Sequence, residues 1–181
     1  MAQNMDDHTG ESPNDLSATL MQFDLICELD LLLGKAQIDY WLRGGWALDF
    51  LQGEITRSHS DIDLAVWKRD ASRLRVCLST AGYKFERDIG VQIDFTKAGQ
   101  ELSVVFIAVD AAGRVFTPDV ADWIWHETAL DHPPCQLNGL SCCILSPQHL
   151  LAEKIGYEQG TGRPLRPKDR QSIVILQQFL R

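Results

Sequence analysis

Residues 41–67 read WLRGGWALDFLQGEITRSHSDIDLAVW and carry the clearest pattern in the chain. Asp61 and Asp63 flank Ile62 inside an apolar run, so a strand with a period of two places both carboxylates on one face. Two carboxylates held that close repel each other unless a cation lies between them. Mg²⁺ is commonly bound by one or two carboxylates together with phosphate oxygens. The spacing therefore predicts a site for a metal-bound nucleotide.

A glycine pair lies about one helix upstream of the aspartates. The pattern predicts a short strand over residues 40–43, a turn at Gly44 and Gly45, and a helix that starts at Trp46. Glycine has no Cβ, so phosphate oxygens can approach the backbone closely at such a turn. The N-terminus of the following helix adds free N–H donors and a partial positive charge. Together with the aspartates, the glycine pair predicts the phosphate-binding half of the same site.

The loop that leads into the aspartate strand contains two further candidates. Arg57 could clamp a phosphate group with its guanidinium, and His59 could donate a hydrogen bond to it. The alternatives are that Arg57 pairs with a nearby carboxylate and that His59 caps a turn. The position beside Asp61 and Asp63 favours phosphate contact for Arg57. For His59, phosphate contact and capping of a turn both stay open.

The segment GGWALDFLQGEITRSHSDIDLAV resembles the signature of a known family. This family contains the antibiotic nucleotidyltransferases related to aminoglycoside 2''-adenylyltransferase and the small lincosamide nucleotidyltransferases, within the DNA polymerase beta type superfamily. Its pattern has two glycines and an aromatic residue, an acidic residue in the next helix, a T-R-x-H loop and D-x-D on the next strand. The matching residues are Gly44, Gly45, Trp46, Asp49, Thr56, Arg57, His59, Asp61 and Asp63.

The resemblance implies an activity and a fold. The activity is transfer of a nucleoside monophosphate from a nucleoside triphosphate, with ATP the expected donor, to a hydroxyl group, with Mg²⁺ required and pyrophosphate released. The fold is of the α+β class: a minimal nucleotidyltransferase fold in which helices flank a mixed β-sheet and C-terminal helices follow. Patterning along the chain predicts a disordered tail over residues 1–14, the nucleotidyltransferase core over 15–145, and a C-terminal helical segment over 146–181 that packs on the core.

Local signals predict several individual elements. A helix capped by Asp15 or Ser17 opens the core. The Asn-Gly pair at 138–139 predicts a tight hairpin turn, because both residue types tolerate positive φ. The Ser-Pro pair at 146–147 predicts a helix start, with serine as the N-cap and proline at the first helical position.

The resemblance also implies a third carboxylate on a later strand, which serves as general base toward the acceptor hydroxyl. The matching strand is predicted over residues 101–109, and aligning its end puts Ser103 at that position. A serine hydroxyl is not ionised at neutral pH and cannot do this work alone. Glu101 leaves the same strand face, and Asp94 lies on the preceding strand of a predicted hairpin. Either carboxylate could be the base, and a base supplied elsewhere or absent is the third alternative.

Basic residues near the C-terminus complete the set of candidates. A lysine on a late helix reaches the triphosphate in related enzymes, and Lys154 is the matching residue here. The alternative is a solvated lysine paired with Glu153 or Glu158. Lys168 and Asp169 resemble the K-D pair at the start of the family's last helix, where we expect them to cap the helix and anchor it.

Composition excludes some classes of partner. The chain has 181 residues and a formal charge of −8, which argues against a duplex nucleic-acid partner because such binding requires a basic surface. An acidic surface suits a cationic small molecule such as an aminoglycoside. No apolar run reaches the ~20 residues needed to cross a bilayer, and the N-terminus is acidic, unlike a secretory signal. We therefore predict a cytoplasmic protein without a membrane partner.

Two functions remain open at this level. The first is Mg²⁺-dependent nucleotide transfer to a small molecule such as an aminoglycoside or lincosamide antibiotic. The chain stops soon after its last predicted helix, so acceptor contacts from the second subunit of a homodimer are expected. The second is a non-catalytic or regulatory protein of the same fold, such as a toxin–antitoxin component, which Ser103 in place of a carboxylate favours.

Overall fold

The computed structural model describes residues 13–120 and 123–181, and the predicted disorder at the N-terminus lies outside this description for residues 1–12. The helices are α1 (Pro13–Lys35), α2 (Gly44–Gln52), α3 (Ala71–Thr80), α4 (Pro147–Ile155), α5 (Tyr157–Thr161) and α6 (Pro167–Phe179). Because α1 is already helical at Pro13, the predicted cap at Asp15 or Ser17 is wrong. Proline is favourable in a first helical turn, where its missing N–H would have no partner in any case.

A mixed sheet forms the centre of the fold. The strands are β1 (Tyr40–Arg43), β2 (Asp61–Trp67), β3 (Lys84–Asp88), β4 (Gln92–Lys97), β5 (Gln100–Val109), β6 (Val115–Phe116), β7 (Cys135–Leu137) and β8 (Leu140–Cys142). The order in the sheet is β1-β2-β5-β4-β3, with β6 on the end of β5, while β7 and β8 form a separate hairpin. Strands β2 and β5 are parallel and the other pairs are antiparallel, so the predicted mixed α+β sheet is confirmed.

Two of the local predictions are confirmed. Asn138 and Gly139 have φ of 47° and 84° and join β7 to β8, so the tight turn is present. Ser146 caps α4, since its Oγ accepts a hydrogen bond from the backbone N of His149 at 3.3 Å. Both features depend on residues adjacent in the chain, which explains why they are visible in the sequence.

The two faces of β2 have different environments. Ile62, Leu64 and Val66 are fully buried, in a core that includes apolar side chains of α1. Asp61 and Asp63 alternate with them and are only half-buried on the opposite face. The sheet therefore presents both carboxylates together on the face away from that core. Within the described ranges, no helix is long and apolar enough to span a membrane.

Candidate active site

An open cleft at the N-terminus of α2 brings together most of the predicted site residues. Both glycines, both aspartates of β2, Arg57, His59 and Lys154 belong to its lining, whereas Glu101 and Asp94 do not. Three lining residues were not among the main candidates, and all three are polar or basic. The complete lining is Gly44, Gly45, Arg57, His59, Ser60, Asp61, Asp63, Lys154, Arg166 and Lys168.

The aspartate pair forms the acidic wall of the cleft. Asp61 accepts a hydrogen bond from the Ser60 hydroxyl at 2.8 Å. Burial raises the pKa of Asp63 to about 6, Arg43 opposes this shift, and the neighbouring Asp61 adds to it. The carboxylates therefore repel each other across one residue, as their spacing predicts, and a bound cation would relieve that repulsion.

Arg43 and Glu153 form a buried ion pair beside Asp63. Nη2 of Arg43 lies 2.7 Å from Oε1 of Glu153, and the side chains are 17% and 14% exposed. Burial lowers the pKa of Arg43, but Glu153 and Asp63 outweigh it, so the net shift is upward. Burial raises the pKa of Glu153, but Arg43 and His149 outweigh it and bring the pKa to about 2. A permanent positive charge therefore lies next to the aspartate wall.

The two glycines make room for side chains of the cleft. A Cβ on Gly44, where φ is +64°, would lie 2.2 Å from Oδ2 of Asp63. A Cβ on Gly45 would lie 2.2 Å from Nδ1 of His59 and 2.7 Å from a terminal guanidinium nitrogen of Arg57. Both glycines lie in the first turn of α2, not in a separate turn before it as predicted. Their small size thus lets an aspartate, a histidine and an arginine converge on one helix N-terminus.

The His59 side chain is held in place by a hydrogen bond with Asp49. Nε2 of His59 lies 2.6 Å from Oδ2 of Asp49, whose side chain is fully buried. The Thr56 hydroxyl donates to the other Asp49 oxygen at 2.6 Å, and Gln22 donates to the His59 carbonyl at 3.1 Å. Nδ1, the other nitrogen of the His59 ring, faces Gly45. The acidic residue of the helix therefore orients the loop that holds Arg57 and His59.

Replacing Asp49 by alanine is expected to destabilise the protein by about 3 kcal/mol, because the buried His59 side chain and the Thr56 hydroxyl lose their acceptor. Thermal or urea denaturation measures the loss. Glu54→Ala is the matched control, since Glu54 is an exposed carboxylate two residues beyond α2 and should change stability by less than about 0.5 kcal/mol. Equal stabilities of the two variants would contradict the supporting role of Asp49.

Basic side chains of the C-terminal segment form a second, basic wall of the cleft. Lys154 pairs with Asp169 at 2.8 Å, not with Glu153 or Glu158, and Arg166 binds the same carboxylate at 2.6 Å. Burial raises the pKa of Asp169, but Arg166 and Lys154 outweigh it and hold the pKa well below its ordinary value. Asp169 thus caps and anchors α6 as expected. Its neighbour Lys168 instead extends into the cleft lining.

Ser103 occupies the register position predicted for it. It lies beside Asp63 in the parallel pairing of β5 with β2, and Glu101 lies beside Asp61. Glu101 is exposed, whereas Asp94 is 8% exposed and lies on β4, opposite Ser103 of β5. Among the described residues, no group of three or more histidine, cysteine, aspartate or glutamate side chains is arranged to hold a metal ion. The aspartate pair of β2 is therefore without a third carboxylate in direct support.

Arg43 and Glu153 were missed by sequence reasoning. Their pairing spans 110 positions, which no local pattern reveals. The one available signal was strand parity: Arg43 precedes the glycine pair on β1 and lies opposite Asp63 in the antiparallel register. A charged residue on a neighbouring strand, on the same sheet face as the aspartates, is a candidate partner for them.

Paired aspartates on one strand, a helix N-terminus at two glycines and a basic wall form the arrangement that the nucleotidyltransferase motif predicts. The family model for aminoglycoside-2''-adenylyltransferase matches residues 25–176. The chain belongs to this aminoglycoside-2''-adenylyltransferase family. The family and the enzyme class predicted from the motif are thereby confirmed.

Individual relatives agree with this assignment. A lincosamide resistance protein of Staphylococcus haemolyticus is 38% identical over 55 residues, which cover 30% of this chain and 34% of that relative. The match therefore spans about a third of that relative's length.

Solved structures share the fold. The lincosamide antibiotic adenylyltransferase LnuA, bound to lincomycin, superposes with a TM-score of 0.66 at 20% identity, covering 92% of this chain and 96% of that one. ANT(2'')-Ia in complex with adenylyl-2''-tobramycin superposes with a TM-score of 0.76 at 17% identity, covering 89% and 90%. At these identities the comparisons establish the fold, which is the predicted nucleotidyltransferase fold.

Proposed function

We propose that this chain transfers a nucleoside monophosphate from ATP to a hydroxyl group of an aminoglycoside or lincosamide antibiotic, with Mg²⁺ bound and pyrophosphate released. The observation that carries the proposal is the cleft itself, where Asp61 and Asp63 face a wall of basic side chains at a helix N-terminus. The family supports nucleotide transfer to an antibiotic. One structural neighbour is bound to lincomycin and another to an adenylylated tobramycin, which supports both antibiotic classes as acceptors.

The residues present fit a divalent metal ion. Asp61 and Asp63 supply hard oxygen ligands from one strand face, and the space that a Cβ on Gly44 would fill lies against the Asp63 carboxylate. Mg²⁺ completes its coordination with phosphate oxygens and water, so two carboxylates suffice when a triphosphate is present. When bound, the ion would polarise the phosphoryl group and neutralise charge on the departing pyrophosphate. The two aspartates would hold it.

The basic wall suits the triphosphate. Arg57, Lys154, Arg166 and Lys168 bring four cationic groups to the cleft, and the first turn of α2 adds backbone N–H groups. Lys154 and Arg166 are held by Asp169, which keeps them in position before the nucleotide binds. Phosphoryl transfer depends mainly on positioning and charge stabilisation, and prearranged cations supply both.

The transfer itself is a single displacement at phosphorus. The acceptor oxygen forms a bond to the α-phosphorus, and the bond from that phosphorus to the bridging oxygen breaks as pyrophosphate leaves. The hydroxyl proton must pass to a base during this step. Arg57 and Lys154, which both line the cleft, would stabilise the charge that develops on the leaving pyrophosphate.

A non-catalytic nucleotide-binding protein is the second candidate. Its specific support is Ser103, which lies beside Asp63 where a third carboxylate was expected. On this alternative the cleft binds a nucleotide without transferring it. The two candidates differ in whether pyrophosphate appears when an acceptor is added.

The test is to incubate the purified chain with Mg²⁺ and each nucleoside triphosphate, in turn with aminoglycosides and with lincosamides. Pyrophosphate release and the mass of the modified antibiotic are measured. Release that requires both ATP and an antibiotic supports the proposed function. Nucleotide binding without release for any acceptor supports the non-catalytic alternative, and absence of nucleotide binding contradicts both.

A further inference from the structure

A row of polar side chains crosses the sheet at the level of the cleft. Each of five strands contributes one residue, and each residue lies opposite the next in the strand register. The charges alternate outward from a neutral centre, since an aspartate stands on either side of the serine and an arginine stands beyond each aspartate. In order from β1 to β3, the row is Arg43, Asp63, Ser103, Asp94 and Arg87.

The serine at the centre of the row is hydrogen-bonded to Asp94 of β4. The Ser103 hydroxyl donates to Oδ1 of Asp94 at 2.9 Å. Nε2 of Gln92 donates to the same oxygen at 2.6 Å and to Ser103 Oγ at 3.3 Å, and Nε of Arg87 donates to the other oxygen of Asp94. The Asp94 carboxylate is therefore held on both oxygens and oriented toward Ser103.

This hydrogen bond determines what the Ser103 oxygen can do. A carboxylate only accepts hydrogen bonds, so the single hydroxyl proton of Ser103 is directed to Asp94. One lone pair of Oγ accepts the hydrogen bond from Gln92, and the other can accept a proton from another hydroxyl group. Neighbouring strands lie about 4.8 Å apart, so a hydroxyl group above Ser103 is also next to Asp63, a proposed metal ligand.

We propose that Ser103 and Asp94 act together as the base for the acceptor hydroxyl, with Ser103 as the catalytic residue that receives its proton and Asp94 as the final proton acceptor. This inference rests on the proposed function. As the acceptor oxygen attacks the α-phosphorus, its O–H bond breaks and the proton moves to Ser103 Oγ. The original Ser103 proton moves to Oδ1 of Asp94, and the electron pair of the broken P–O bond leaves with pyrophosphate. Ser103 ends neutral, and Asp94 later releases its proton to water.

The surroundings of Asp94 suit this role better than those of Glu101. Glu101 is exposed and lies beside Asp61, two register positions from Ser103 along β5. Burial raises the pKa of Asp94, but the hydrogen bonds from Arg87, Gln92 and Ser103 outweigh it and lower the pKa below its ordinary value. Asp94 is thus ionised at neutral pH. The lowered pKa makes it a weaker base, so its suitability rests on its position beside Ser103, and a proton that it accepts is readily released to water.

The experiment compares Ser103→Ala, Asp94→Asn, the double variant Ser103→Ala/Asp94→Asn and the transplant Ser103→Asp/Asp94→Asn. Each single variant is expected to lower kcat about 100-fold, with KM for ATP changed less than about twofold. The double variant should be no slower than either single variant, because the pair acts as one unit. The transplant should recover at least about tenfold of the loss in Asp94→Asn, because a carboxylate then stands directly beside Asp63.

The rescue separates catalysis from structure, since a purely structural role of Asp94 would not be restored by a carboxylate on another strand. Three results would overturn the proposed proton relay from Ser103 to Asp94. They are a wild-type kcat in Asp94→Asn, a loss in the double variant that equals the product of the two single losses, and a larger loss in Glu101→Gln than in Asp94→Asn. Those results require an active wild-type protein. A wild-type protein that modifies no antibiotic would overturn the proposed function and the relay with it. If Asp94→Asn fails to fold, Ser103→Ala keeps the Asp94–Arg87 ion pair and tests the same step.

Discussion

Replacing Asp63 by asparagine is expected to lower antibiotic-dependent pyrophosphate release about 1,000-fold, which corresponds to about 4 kcal/mol of transition-state stabilisation. Asparagine keeps the shape of the side chain but removes the negative charge that would hold the metal ion. Asp61→Asn should act in the same direction, because the two carboxylates leave the same face of β2. Loss of activity should be accompanied by weaker Mn²⁺ binding in the presence of ATP, measured by electron paramagnetic resonance.

The matched control for the aspartate variants is Asp39→Asn. Asp39 is an exposed carboxylate immediately before β1 and lies outside the cleft, so its loss should leave activity within about twofold of wild type. Unchanged Mn²⁺ binding in both Asp61→Asn and Asp63→Asn would refute the metal-site assignment. Thermal denaturation distinguishes a lost ligand from a lost fold.

Replacing Gly45 by alanine is expected to weaken ATP binding at least about 30-fold while the fold is retained. The added Cβ would lie 2.2 Å from His59 Nδ1, so the imidazole must move, yet its other nitrogen is bonded to the buried Asp49. Arg57, whose guanidinium nitrogen would lie 2.7 Å away, is displaced as well. A loss of two prearranged contacts at about 1 kcal/mol each gives this magnitude. Isothermal titration calorimetry with a non-hydrolysable ATP analogue measures it.

Gly34→Ala is the matched control for the glycine variant. Gly34 lies near the end of α1, has an ordinary φ, and has nothing within 4 Å of an added Cβ. Alanine there should leave nucleotide binding unchanged and stabilise the helix by about 0.5–1 kcal/mol. Equal nucleotide affinities of the Gly45→Ala and Gly34→Ala variants would refute the idea that Gly45 makes space for the cleft side chains.

The strand that carries the aspartates could be predicted from the sequence because its alternating pattern depends only on residues adjacent in the chain. The alternation of Asp61, Ile62 and Asp63 predicts one polar and one apolar face, and β2 shows that division. The later strand predicted to carry Ser103 is present as β5, and its pairing with β2 places Ser103 beside Asp63. The start of α1 was predicted wrongly because several polar residues near Pro13 could each cap a helix.

The structure gives the two glycines a role that the sequence did not show, while their contact with phosphate stays a prediction. Sequence reasoning assigned Gly44 and Gly45 to close approach by phosphate. In the structure the space beside them is occupied by Asp63, His59 and Arg57. These side chains come from a loop and a strand that follow the glycines in the chain. Their position beside the glycines depends on how β2 pairs with β1. Periodicity along the chain contains no information about such contacts.

By itself, the sequence determined the aspartate strand, the presence of a helix at the glycine pair, the serine on the later strand and the family. All of these follow from residue types and short spacings, which set local backbone conformation and side-chain direction. Only the tertiary structure decided that Arg43 pairs with Glu153 beside the aspartates and that Ser103 donates to Asp94. Those contacts join separate strands and helices, so they exist only after the sheet has formed and its register has brought the side chains together.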